Sequence, residues 1–154
     1  MRVFKLIFVT AMLLIAGHVA AGETSNLKVV LLDSKTGKPL HSKTVCVSFN
    51  PSPRGNGVDK PNVCGTTDGS GAMNVSVPTP VPLLLHVAVL TNDLLPCFPI
   101  PHAYSVADVL SNGAVAPNTC GTGTKNPALE PNHLFLFSHQ MTIWEVLKSM
   151  WHEI

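Results

Sequence analysis

Four cysteines, Cys46, Cys64, Cys97 and Cys120, set the strongest constraint on this chain, because all of them follow an N-terminal apolar run. That run has the three parts of a secretory signal peptide: Met1 to Lys5 with two positive charges, an apolar stretch from Leu6 to Gly17, and the small-residue end Val19-Ala20-Ala21-Gly22. The stretch is shorter than the roughly 20 residues needed to span a bilayer. Residues 1–22 are therefore expected to be a signal peptide cleaved after Ala21 or Gly22. Export places the four cysteines in an oxidising compartment, where an even number reads as two disulfides. No C-x-x-C spacing occurs, which argues against a thioredoxin-like redox motif and an ordinary structural zinc site.

Without Arg2 and Lys5 the chain keeps 8 basic and 9 acidic residues, a formal charge of −1. Arg54 is then the single arginine and no basic cluster exists, so no nucleic-acid partner is expected. The remaining length suits one compact domain.

Strand and turn signals alternate along it. Leu27 to Leu32 is apolar and β-branched, and the turn-rich run Asp33-Ser34-Lys35-Thr36-Gly37-Lys38-Pro39 ends it. Thr44 to Phe49 has period two, with Val45, Val47 and Phe49 on one face and Cys46 on the other. A loop rich in Pro, Gly and Asn covers residues 50–62. Val63 to Thr67 and Ala72 to Val77 flank Asp68-Gly69-Ser70-Gly71, which predicts a tight antiparallel hairpin. Pro78, Pro80 and Pro82 stop that ribbon, and Leu83 to Leu90 reads as an inner strand buried on both faces.

The prolines of residues 91–132 leave room for little regular structure beyond one short helix, capped by Ser105 with Asp108 three residues on and stopped at Asn112-Gly113. Leu134 to Phe137 is a last strand. Thr142-Ile143-Trp144-Glu145 forms a T-x-x-E capping box that opens a C-terminal amphipathic helix, assigned to residues 139–154.

The series Val30-Leu31-Leu32-Asp33, Thr36-Gly37-Lys38-Pro39-Leu40, Val45 and Val47, Thr67-Asp68, Gly71 and Val77-Pro78 resembles the carboxypeptidase regulatory-like domain. The tail, with Asn118-Thr119-Cys120-Gly121, Leu134-Phe135-Leu136-Phe137 and Trp144-Glu145, resembles the ending of small exported bacterial proteins that carry this domain. The resemblance implies an all-β fold, an Ig-like or prealbumin-like (transthyretin-related) antiparallel β-sandwich of about seven strands over residues 23–138, followed by the C-terminal α-helix. It marks turns and strands rather than chemistry, so it implies no binding residue.

Catalytic motifs are weak throughout. Relatives of transthyretin include a hydrolase of 5-hydroxyisourate, but its His and Arg set and its Tyr-Arg-Gly-Ser end have no counterpart in a chain that ends Trp151-His152-Glu153-Ile154. Ser70 between Gly69 and Gly71 is explained by a turn, and no G-x-S-x-G elbow occurs. The histidines after the leader, His41, His86, His102, His133, His139 and His152, do not pair at ligand spacing. Gly121 to Lys125 lacks phosphate-loop spacing and reads as a flexible loop beside a disulfide. No catalytic residue, metal or cofactor is expected. Asn74-Val75-Ser76 is a glycosylation sequon.

For the disulfides, Cys46 with Cys64 is the first choice because their strands should be neighbours, leaving Cys97 with Cys120, while crossed pairings stay open. In the terminal helix Ile143, Trp144, Leu147, Met150, Trp151 and Ile154 recur at spacings of three and four. This face either packs on the sandwich or is exposed as a contact for an extracytoplasmic protein or a membrane surface, with Trp144, Leu147 and Trp151 as the candidate contact residues. A non-catalytic exported binding or scaffolding module is the expectation; a small-molecule carrier or transthyretin-related hydrolase, or a purely structural envelope domain, are the alternatives.

Overall fold

The computed structural model describes residues 25–50, 63–99, 103–121 and 124–145. The leader, residues 51–62 of the loop expected over 50–62, and Leu147 and Trp151 lie outside the described residues, while Asn50 ends a strand.

The fold is mostly β. In chain order its elements are β1 (Asn26–Asp33), β2 (Thr44–Asn50), β3 (Val63–Thr66), β4 (Ala72–Ser76), β5 (Leu84–Val89), β6 (Leu94–Pro96), β7 (Ala103–Ser105), α1 (Val106–Asn112), β8 (Ala114–Val115) and β9 (His133–Gln140). They form two sheets. Sheet A has the order β4-β1-β9-β6, with β8 also paired to β9, and sheet B has the order β3-β2-β5-β7. The inner faces share one apolar core: Leu27, Val29, Leu31, Met73, Val75, Leu134 and Leu136 from sheet A meet Val45, Val47, Phe49, Leu85, Val87 and Tyr104 from sheet B.

The period-two pattern of β2 is realised as expected, with Val45, Val47 and Phe49 buried in that core. Helix α1 also forms where its caps predict it. Ser105 accepts from the Asp108 amide at 3.3 Å, and Gly113, at φ 75°, donates its N–H to the Val109 carbonyl at 3.0 Å. A Cβ at residue 113 would lie 2.1 Å from the Glu130 carbonyl oxygen, so glycine is required there for space as well as for φ. Val106 and Val109 plug one end of the core.

Three expectations are corrected. Residues Val63–Thr66 and Ala72–Ser76 do not pair as a hairpin: β3 joins β2 in sheet B, whereas β4 joins β1 in sheet A. The turn between them is a crossing from one sheet to the other. Thr67 explains it, because this buried residue is tied to the 40–43 segment rather than to a partner across the turn, through Thr67 N to Lys43 O (2.9 Å) and Ser42 N to Thr67 O (2.8 Å). Gly71, at φ 73°, then packs its backbone on Leu31 O, and donation from Leu31 N to Gly71 O starts the new ladder.

The second correction concerns strand direction. Sheet A contains two parallel pairings, β1 with β9 and β8 with β9, so it is mixed rather than antiparallel. A long connection separates β1 from β9, which frees their pairing from hairpin geometry and permits the parallel register Lys28↔His133 to Asp33↔Ser138. The third is burial: β5 is buried on its Leu85 and Val87 side, while Ala88 is exposed and His86 half-buried. The strands buried on both faces are β1 and β9. Val30, Leu32, Phe135 and Phe137 form a second cluster on the outer side of sheet A, joined by Ala72 and Cys97 and covered in part by Val115. Burial of both faces is the usual condition of parallel strands.

Candidate functional site

Parallel strands end side by side, and the chain segments that leave them build a polar groove. At the end of β1, Asp33 Oδ1 accepts from the Thr36 amide (2.8 Å), the Thr36 hydroxyl (2.7 Å) and the Lys35 amide (3.2 Å). Burial pushes this carboxyl up, but those donors and the backbone N–H of Gln140 outweigh it and hold it below the usual carboxylate range. The chain turns at Gly37, φ 69°, and returns along β1 through Asp33 N to Lys38 O and Leu40 N to Leu31 O.

Thr67 holds the next segment in place. Its hydroxyl donates to Leu40 O at 2.7 Å and accepts from Lys43 N at 3.0 Å, in addition to its two backbone bonds with Ser42 and Lys43. Residues 40–43 are thereby held with Leu40 buried, His41 and Ser42 exposed, and Ser42 at φ 57°. Between this segment, the Asp33 turn and the end of β9 lies a groove of about 540 Å³, lined by Asp33, Thr36, Lys38, Pro39, Leu40, His41, Ser42, Lys43 and Gln140. The Lys43 ammonium pairs with Asp93, whose backbone carbonyl also accepts from Met141 N at 2.9 Å. Among the described residues, the side chains of Lys38, His41, Ser42 and Gln140 have no hydrogen-bond or ionic partner.

The groove adjoins the segment that leaves β9. His139 and Gln140 belong to that strand and not to the helix assigned from residue 139, and among the described residues helical backbone after β9 is confined to 143–145. The capping box forms: Thr142 N donates to the Glu145 carboxylate at 2.7 Å, and Glu145 N donates to the Thr142 hydroxyl at 3.3 Å. The Thr142 amide and hydroxyl hold the Glu145 carboxyl below its ordinary range. His139 Nε2 lies 3.3 Å from that carboxylate and 3.4 Å from Lys35 Nζ. Within this braced turn, Ile143 and Trp144 are 78% and 80% exposed, so the described part of the apolar stripe is not core.

The other sequence candidates stay apart from this region. Cys46 is bonded to Cys64, and Cys97 to Cys120. His86 sits on β5 opposite Ser48, and His133 stacks on Phe135 near Glu130, while His102 and His152 lie outside the described residues. No group of three or more His, Cys, Asp and Glu side chains placed to hold a metal occurs among the described residues. The Ser70 hydroxyl donates to Asp68 inside its turn at 2.7 Å. The loop after Cys120, expected to be flexible, is pinned at both described ends: Gly121 N donates to Asn118 Oδ1, and the Thr124 hydroxyl to Ser34 O. Sequence reasoning missed the groove because Gln140 reaches it from about a hundred residues away, and Lys38 to Lys43 reads only as a polar turn.

Compared with family models and with curated proteins, the sequence matches none. It is similar to a solved structure, a 9R-lipoxygenase from Cyanothece PCC8801, at 21% identity over 53% of this chain and 12% of that one, with a TM-score of 0.31. A likeness that weak carries no argument about fold or activity.

Proposed function

We propose that this chain is a non-catalytic, exported module of the Ig-like or prealbumin-like β-sandwich type that binds or scaffolds another extracytoplasmic protein. The observation that carries the reading is the pair Ile143 and Trp144, left four-fifths exposed on a turn braced by the Thr142–Glu145 box. A large aromatic exposed to solvent gains much from burial against a partner and has few rotatable bonds to immobilise in doing so. Two intramolecular disulfides are compatible with an oxidising compartment, and no helix among the described residues is long and apolar enough to cross a membrane.

The test is capture of partners from the extracytoplasmic fraction by the wild-type protein and by Trp144→Ala, followed by titration with each purified partner. The substitution removes an exposed side chain, so the unfolding midpoint should stay unchanged while affinity falls about tenfold or more. A partner held equally by both proteins would overturn the assignment of this surface.

A further inference from the structure

We propose that the groove between residues 36–43 and Gln140 takes a carboxylate of that protein partner, with Lys38 as its counter-ion and Lys43, already paired with Asp93, as a further donor. This inference rests on the protein-binding reading and adds the chemistry of the bound segment.

The lining is rich in donors. Beside Lys38, Lys43, His41, Ser42 and Gln140 the lining holds one acid, Asp33, whose Oδ1 already accepts three hydrogen bonds within its own turn, one of them from the Thr36 hydroxyl. Asp93 balances the Lys43 charge but takes one of the three ammonium donors, holding the side chain, 14% exposed, at the groove wall. A cationic ligand would meet the unpaired Lys38, and a neutral one would leave it unpaired. A polyphosphate is disfavoured because the chain offers no surrounding basic field, with 8 basic against 9 acidic residues after the leader. An isolated carboxylate, from an acidic side chain or a chain end, matches one unpaired lysine in a lining that also offers the Lys43 donors, a hydroxyl and an amide.

The receptor parts are already in position. Thr67 locks residues 40–43 from behind, and Asp93 links Lys43 to Met141, two residues before the exposed Ile143 and Trp144. One partner segment carrying an acid next to an apolar residue would therefore engage both features at once. Little reorganisation accompanies binding to such a site, which favours affinity.

The experiment is an amide NMR titration of the protein with a capped tetrapeptide, leucyl-glutamyl-glutamyl-leucine, against its glutamine counterpart and against inorganic phosphate. Shifts at Lys38, His41, Ser42, Lys43 and Gln140 are expected with the acidic peptide. The glutamine peptide should bind about fivefold more weakly or worse, Lys38→Gln about threefold more weakly, Lys38→Glu more weakly still, and added salt should weaken the acidic peptide alone. Equal shifts from both peptides, or none at ~10 mM, overturn the inference. Phosphate binding more tightly than the acidic peptide overturns the choice of a protein acid. If the groove fails while Trp144→Ala still loses its partner, the protein-binding reading stands alone; if the groove binds acid and no partner depends on Trp144, the reverse holds.

Discussion

Sheet A and sheet B share one core but treat their outer faces differently. In sheet A the outer face carries Val30, Leu32, Phe135 and Phe137, and Cys97 and Val115 of the Pro-rich connection pack against them. In sheet B the corresponding face carries Thr44, Ser48, His86 and Ala88, and Cys46 is covered with Cys64 as its disulfide partner on the short edge strand β3. The two disulfides close loops of similar length, with separations of 18 and 23 residues. Loop-closure entropy therefore assigns each roughly 3 kcal/mol. Their difference should come from what each one tethers: Cys97–Cys120 holds a cover on apolar surface, whereas Cys46–Cys64 braces an edge.

That contrast can be broken by removing each disulfide. Cys97→Ala with Cys120→Ala should cost about 4–5 kcal/mol and expose dye-binding apolar surface, because the aromatic outer face loses its cover as well as its cross-link. Cys46→Ala with Cys64→Ala should cost about 2–3 kcal/mol without new dye binding. Denaturant titrations that return equal costs would remove the cover from the account.

Alanine substitutions sharpen it. On β9, Leu136→Ala and Phe137→Ala face opposite sides and should each cost about 3–4 kcal/mol, since both side chains are fully buried. On β5, Leu85→Ala should cost about 3 kcal/mol while Ala88→Ser stays within about 0.5 kcal/mol. A large cost at residue 88 would show sheet B covered on both sides.

Gly113→Ala tests the helix stop that leads from α1 into β8. Positive φ and the approach of Glu130 O both oppose a Cβ, and a loss of about 2 kcal/mol or more is expected, read as a lowered Tm.

The smallest effect is the acid response of the turns. Asp33, tied at the end of sheet A, and Asp68, held low first by the Ser70 hydroxyl in the turn between the sheets, both have folded pKa values below their ordinary ones. Their contribution is thus present above the unfolded pKa near 4 and is lost as pH falls through the lower folded value. Stability measured in urea should drop below about pH 4, and Asp33→Asn or Asp68→Asn should flatten that drop.

Local chemistry was readable wherever a signal and its partner lie close in the chain. The Ser105 and Gly113 caps of α1, the Asp33–Thr36 turn and the Thr142–Glu145 box each form as their residues imply, because these donors and acceptors lie within four residues of their partners, and the period-two face of β2 is written in the strand itself. The disulfide choice of Cys46 with Cys64 also rests on neighbouring strands. The hairpin expected around Asp68 fails for the opposite reason: the residue that decides it, Thr67, bonds to Leu40, Ser42 and Lys43, some 25 positions away.

By itself, then, the sequence determined the β-rich class and the local turns and caps, which rest on short-range periodicity and backbone hydrogen bonding, while it left crossed cysteine pairings open. Tertiary structure alone decided that β9 lies parallel to β1, that Cys97 and Val115 of the Pro-rich connection pack on the outer face of sheet A, and that Gln140 lines a groove with Lys38 and Lys43. Those outcomes depend on which apolar surfaces meet across long loops. Burial is non-directional, so the pattern of one strand says that a face is covered and leaves open which distant segment covers it.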